Sequence, residues 1–420
     1  MATIKKVWAR EITGRDRLPA IEAAVVTDNE CCGVAVVAAG SSVGKYEAKF
    51  VYDGGERYFG KGVLKAVNNV NSIIAPELKG RDVTKQRDID NMLIELDGTH
   101  DKSRLGANAT ASVSSAVLSS AAKSLGLPLY RYVGGVNASV LPVPMVSVVT
   151  GGSRRYGGGE RGGGKPVFEF MSYGAESFSE ALYMNWQLSN KFQETIRKKY
   201  NVVLHRSQGL TGIIKDDSEL LEVMTETISD LGFNNKVGFH LDVAASCFLE
   251  KDKFVGLFSR KAKTRDDLID LYKDWCSKYP ILDLEDPLDE EDFEGHAILT
   301  KELGIQITGD DLFATSPSRL RKGIDLGAAN AMVLKVPQIG TITEAFDAIQ
   351  LAYRNGYRIF PGASRGEGAS LADYAVGFNT GLSKSIGWGS PLANRYLSIE
   401  EDLGTSSRFL GIKALNLKIT

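Results

Sequence analysis

Asp242, Glu285, Asp310, Lys335 and Lys384 each close or directly follow a short apolar run in the second half of a 420-residue chain. The runs are residues 237–241, 281–284, 305–308 and 331–334, with a shorter one before Lys384. A charge at the end of an apolar segment costs desolvation unless it is paired or holds a metal. Three carboxylates gathered in one place would also repel one another strongly without a cation. Oxygen-only ligands, with no histidine or cysteine in the set, suit Mg²⁺ rather than zinc. On the residues alone, a divalent-metal site and a network of structural ion pairs answer this pattern equally well.

Strands and helices must bring these positions together. After about Val237 the chain repeats one unit, an apolar run ending on a charge and then an amphipathic helix. Helical spacing is clearest over residues 266–279, 341–355 and 371–380, each stretch long enough to cross back to a parallel neighbour. Strands of a parallel barrel end at one face, so charges far apart in sequence converge on a single mouth. The first forty residues instead alternate short apolar runs with polar breaks, as in residues 7–12 and 21–26, which predicts meander strands. Helical spacing follows over residues 63–74, 86–96 and 107–125. The expectation is an α+β N-terminal capping domain over residues 1–135, followed by an α/β, TIM-like barrel over residues 136–420.

A formal charge of −2 with scattered basic residues leaves no electrostatic footprint for nucleic acid or an anionic membrane, so the expected partner is a small molecule. Cys31, Cys32, Cys247 and Cys276 have neither zinc spacing nor a disulfide framework, which fits a reducing cytoplasm. No apolar run reaches spanning length and the N-terminus carries no leader pattern. Cys247 is expected to pack rather than to react, and His240 to share the Asp242 side of its strand.

Ordered motifs run through the whole chain. They are Tyr58-Phe-Gly-Lys-Gly-Val63, Leu96-Asp-Gly-Thr-His-Asp-Lys-Ser103, Leu105-Gly-Ala-Asn108 and Leu127-Pro-Leu-Tyr130 in the first part. The second part carries Leu241-Asp-Val-Ala-Ala-Ser246, Leu284-Glu-Asp286, Gly309-Asp-Asp-Leu-Phe313 and Leu334-Lys-Val-Pro-Gln-Ile-Gly-Thr341. In these segments the chain resembles the enolase family almost from end to end. The resemblance implies that Asp242, Glu285 and Asp310 ligate a principal Mg²⁺, that Lys335 is the base, and that Lys384 contacts the substrate carboxylate. Enolase-superfamily sites are a known example of a Lys or His base working with one or two Mg²⁺ ions. A proton beside a carboxylate is very weakly acidic, and metal charge offsets the doubly charged enediolate left by its removal. A neighbouring cation and Mg²⁺ would both depress the Lys335 pKa and favour the neutral amine. A homo-oligomer, a dimer or larger, is implied as well.

Departures from the family pattern bear on the substrate. The loop that helps hold a second Mg²⁺ reads Ala39-Gly-Ser-Ser-Val-Gly44, in which Ser42 keeps a hydroxyl, although turn formation explains such a serine equally. Glu169, in Phe168-Glu-Phe-Met171, matches a family acid. Gln208 stands where the family has its proton-donating acid, and an amide hydrogen-bonds but does not deliver a proton. The phosphate clasp is reduced to Ala363-Ser-Arg-Gly-Glu367, leaving Arg365 beside Ser364. Arg154 replaces a histidine at the start of the glycine-rich segment 151–165, where Arg154, Arg155, Arg161 and Lys165 would converge on an anion if the segment closes as a lid.

The expectation drawn from these changes is an enolase-family lyase acting on a carboxylate other than 2-phosphoglycerate, phosphorylated or phosphonate-like. The alternatives are ordinary phosphopyruvate hydratase with its acid relocated to Glu160, Glu169 or His205, and a catalytically silent metal-binding scaffold.

Overall fold

The computed structural model describes residues 2–14, 17–40, 42–150, 155–159, 164–202 and 210–418. Strands Ile4–Thr13, Pro19–Thr27 and Cys32–Ala38 form an antiparallel meander. Their alternating apolar side chains, among them Ile21, Ala23 and Val25, are buried. Helix Gln86–Asp97 packs on helix Ala107–Ser124, which lies against this sheet. The second is rich in Ala and Ser on every face, which lets it be buried along nearly its whole length with little side-chain bulk between it and the sheet.

The rest of the chain builds a closed eight-stranded barrel. Its strands, in chain order and in neighbour order, are Val143–Val149, Val167–Ser172, Val237–Asp242, Ile281–Glu285, Gln306–Gly309, Ala331–Leu334, Arg358–Pro361 and Leu382–Ser383. The eighth pairs with the first, and the Lys384 N–H donates to the Pro361 carbonyl at 3.3 Å, which closes the ring. Val143, Met145, Met171, Val333, Phe360 and Leu382 form one buried cluster, so the barrel is packed rather than hollow.

One expectation needs correction. The barrel is not wholly parallel, because the second strand runs antiparallel to both neighbours, with Glu169 opposite Ser147 on one side and His240 on the other. Its N-terminal end, at Lys165 and Val167, therefore lies beside Asp242 at the mouth. Hydrophobic patterning reports burial but not strand direction, so the reversal was not visible in the sequence.

Helix caps explain several boundaries. Thr264 and Asp267 form a reciprocal capping box for helix Arg265–Lys278, Ser177 caps Phe178–Tyr200, and Thr341 caps Ile342–Arg354. Among the described residues, no helix is long and apolar enough to cross a membrane.

Candidate active site

The strand-end charges converge at one mouth of the barrel. Neighbouring strands place Asp242 beside Glu285 in register, and the fifth strand delivers Asp310 one residue beyond its end. Non-glycine residues with positive φ, Ala244 at 45° and Asp286 at 43°, turn the chain sharply just after two of these acids. Both oxygens of Asp286 are used in shaping the next loop, accepting the backbone N–H groups of Asp310 at 3.0 Å, Asp311 at 2.7 Å and Leu312 at 3.3 Å.

Each acid meets a lysine. Lys384 Nζ bonds Glu285 Oε1 at 2.6 Å and also Asp242 Oδ2. Lys165 Nζ bonds that same Asp242 oxygen, and Lys335 Nζ bonds Asp310 Oδ2. Burial works against the charge on Asp242, but Lys165 and Lys384 outweigh it and hold this carboxyl far below the ordinary range. Burial likewise opposes ionisation of Asp310, and Lys335 and Lys384 bring it down to about 2. For Lys384, burial lowers the pKa, but Asp242 and Glu285 raise it well above its usual value.

Lys335 departs from expectation. Burial pulls its pKa down, yet the Asp310 carboxylate more than compensates and the ammonium is held above its ordinary value. The expected depression rests on a neighbouring cation and Mg²⁺; Arg365 and Lys384 do pull the Lys335 pKa down, and the Asp310 carboxylate, its counter-ion, outweighs them.

The donor set fits a hard divalent cation. Among the described residues Asp242 Oδ1 is buried without a hydrogen-bond partner, and such an orphaned carboxylate oxygen is what a cation would satisfy. A tighter acidic cluster, Asp286, Asp310 and Asp311, brings carboxylate oxygens within 4.8 Å of one another. Within it both oxygens of Asp286 accept backbone donors, and both of Asp310 are engaged by side chains, Lys335 on Oδ2 and Gln338 on Oδ1. Asp311 is pushed up to about 8, by burial first and then by Asp310 and Glu47.

A cavity of about 710 Å³ opens above the acids, lined in part by Ser42, Lys165, Asp242, Lys335, Arg365 and Lys384. Four cations in one cavity suit a small, multiply charged anion. Arg365 is almost wholly buried, paired with Glu47, and donates to the Ser42 carbonyl at 2.9 Å and the Ser364 hydroxyl at 3.2 Å. Glu169 lies beneath the lining, where Ser147 and Ser385 donate to its Oε1, the latter at 2.8 Å. His240 lies on the barrel interior as expected. Its Nδ1 is 2.8 Å from Asp283 and its Nε2 3.4 Å from Glu285, and although burial opposes the charge, Asp283 lifts its pKa to about 10.

Arg154, Glu160, Arg161, His205 and Gln208 lie outside the described residues. Sequence reasoning missed Glu47 and Gln338. Gln338 Nε2 donates to Asp310 Oδ1 at 2.8 Å and to Glu47 Oε1 at 3.4 Å, which links the capping layer to the acids at the barrel mouth. Gln338 follows Lys335 by one short helical turn, and that spacing was the available signal. Glu47 carried none. Lys165 had been placed in an anion-binding lid, and its contact with Asp242 was not foreseen.

Family models described as the enolase N-terminal domain and the enolase C-terminal TIM barrel domain match residues 4–133 and 138–418. A protein named enolase from Methanopyrus kandleri is 44% identical, over 97% of this chain and 98% of the relative. Enolases from Methanocaldococcus jannaschii and Thermococcus kodakarensis are 44% and 43% identical, covering 96% and 98% of this chain and the same shares of the relatives.

Proposed function

Because the chain belongs to the enolase family and is a hydro-lyase of the phosphopyruvate hydratase kind, we propose that its reaction is the ordinary one, interconversion of 2-phosphoglycerate and phosphoenolpyruvate. The changed substrate expected from Gln208, Arg154 and the shortened clasp is the less favoured reading, since relatives named enolase match almost the full chain. A silent scaffold is disfavoured by the same similarity.

The reading rests on one observation, the meeting of Lys335, Lys384 and the acids Asp242, Glu285 and Asp310 at a single cation-lined mouth. In this proposal Lys335, freed from its carboxylate partner when Asp310 holds Mg²⁺, takes the proton beside the substrate carboxylate on Nζ as the neutral amine, and Lys384 binds that carboxylate. Arg365 and Ser364 bind the phosphate. Asp242, Glu285 and Asp310 hold Mg²⁺, with Ser42 available to a second ion, and the metal charge offsets the charge that builds on the carboxylate as the proton leaves. The hydroxide leaving the neighbouring carbon departs as water, with its proton supplied in this proposal by Glu169 through the Ser147 and Ser385 hydroxyls that bond its Oε1.

Turnover of 2-phosphoglycerate with Mg²⁺, followed by enolpyruvate absorbance, tests the proposal. Lys335→Ala is expected to lower kcat about 10³-fold, the usual order for removing a positioned base. Folded wild-type protein that shows no Mg²⁺-dependent turnover would reject 2-phosphoglycerate as the substrate and reopen the choice of carboxylate.

A further inference from the structure

Lys165 joins the glycine-rich segment to the reversed second strand, and its ammonium reaches Asp242 Oδ2. Lys384 bonds the same oxygen, so two cations share one carboxylate oxygen while Asp242 Oδ1 has no hydrogen-bond partner among the described residues. The two lysines are not equivalent. Lys384 has a second carboxylate, Glu285, at 2.6 Å, whereas among the described residues Asp242 is the only acid Lys165 pairs with. The Lys165 side chain is only 11% exposed, and it lines the cavity. Lys335, just past the end of the sixth strand, lies across the barrel from the second strand, so an anion bound between Lys165 and Lys335 is flanked by a lysine on each wall.

A divalent cation on Asp242 and an ammonium on the same carboxylate repel each other, and a nearly buried ammonium that loses its carboxylate must find another anion. The cavity that Lys165 lines is where such an anion would sit. We propose that Lys165 is a substrate-contacting residue, whose ammonium holds Asp242 in the cation-free protein and passes to an oxygen at the carboxylate end of the substrate when a divalent cation takes up Asp242. The inference rests on the proposed metal and substrate sites and deepens them. Lys165 weakens cation binding on its own and strengthens anion binding once the cation is present, so the two ligands favour each other through this side chain.

The two effects have opposite signs, which a merely structural lysine would not produce. Lys165→Met is expected to bind Mg²⁺ alone about tenfold more tightly, measured by calorimetry without substrate, because a neighbouring positive charge is gone. The same variant should bind phosphoenolpyruvate at saturating Mg²⁺ about tenfold more weakly, or worse, because a partly desolvated charge pair is lost. KM for 2-phosphoglycerate should rise by more than kcat falls, and Lys165→Arg should restore most of the anion affinity. Thermal unfolding checks the fold of each variant, and Lys165→Gln gives the same two readings if the methionine variant does not fold. Unchanged affinities, or two changes of the same sign, would overturn the proposal. The Mg²⁺ titration needs no turnover, so absence of activity on 2-phosphoglycerate in the wild type would reject the assigned reaction separately.

Discussion

At the scale of single residues, the site depends on side chains that are missing as well as on those present. A Cβ added at Gly40 would collide with the Arg365 guanidinium, which is buried against Glu47. Gly40→Ala should therefore lower the melting temperature, by disturbing a buried ion pair, and raise KM for 2-phosphoglycerate about tenfold, the order expected when one charged anchor is displaced. An unchanged KM would show that Arg365 does not need its present position. Gly362 is similarly close to the proposed base, since a Cβ there would lie 3.0 Å from Lys335 Cε. Cys276 gives a prediction away from the site. Burial pushes its thiol up to about 12, so at pH 8 only about one molecule in ten thousand carries the thiolate. Iodoacetamide should leave Cys276 unmodified in the native protein and alkylate it after denaturation, as read by peptide mass analysis. The strand-end acids and lysines were legible in the sequence because charges that close apolar runs demand partners. Glu47 was not, since nothing in its neighbourhood marks it before Arg365 arrives from the other end of the chain.

At the scale of elements, the glycine-rich segment is anchored at its described residues. Arg155 and Tyr156 both donate to Asp217 Oδ1, at 2.8 and 2.9 Å, and Asp217 immediately precedes helix Ser218–Asp230. The Arg155 and Asp217 side chains are 1% and 0% exposed. Asp217→Ala would leave a buried guanidinium without its counter-ion and should cost about 3–5 kcal/mol in chemical denaturation. A loss below about 1 kcal/mol, the value of an exposed pair, would show that the anchor is solvated. Barrel strands after Val237 were readable because each apolar run is followed by a helix of crossing length. Helices Phe178–Tyr200 and Ser218–Asp230 were not singled out, and both belong to the stretch between the second and third strands, where the regular strand-and-helix rhythm is interrupted. Strand existence follows from apolar spacing, but strand direction depends on which connections the packed barrel accepts, and the reversed second strand shows the difference.

At the scale of the molecule, the capping layer and the barrel share backbone groups. Helix Ile342–Arg354 begins with N–H groups that no helical turn satisfies, and residues of the capping layer accept two of them. Ser114 Oγ accepts from Ile342 N at 2.9 Å and Asp90 Oδ2 from Thr343 N at 2.8 Å, while Lys102 pairs with Glu344 at 2.9 Å. Together with the Glu47–Arg365 pair, these contacts make the cap part of the barrel's own hydrogen bonding, so one cooperative unfolding transition is expected in calorimetry. Two well-separated transitions would show that the layers are energetically independent. Asp90→Ala removes a buried acceptor of three donors, Thr343 N, Ser114 Oγ and Gln86 Nε2, and should cost about 1–3 kcal/mol. Burial holds the Asp90 carboxyl above its ordinary value, although its hydrogen bonds with Ser114 and Thr343 pull the other way. A carboxyl raised in the folded state binds its proton more tightly there than in the unfolded chain, so its contribution is greatest below the unfolded value and falls as pH rises through the folded one. Asp90→Asn keeps an acceptor and does not titrate, so its deficit relative to the wild type should shrink from pH 4 to pH 8, as read by denaturant midpoints at each pH. A deficit that grew with pH would mean that Asp90 stabilises the junction as a carboxylate, and that its donors outweigh the cost of burying the charge.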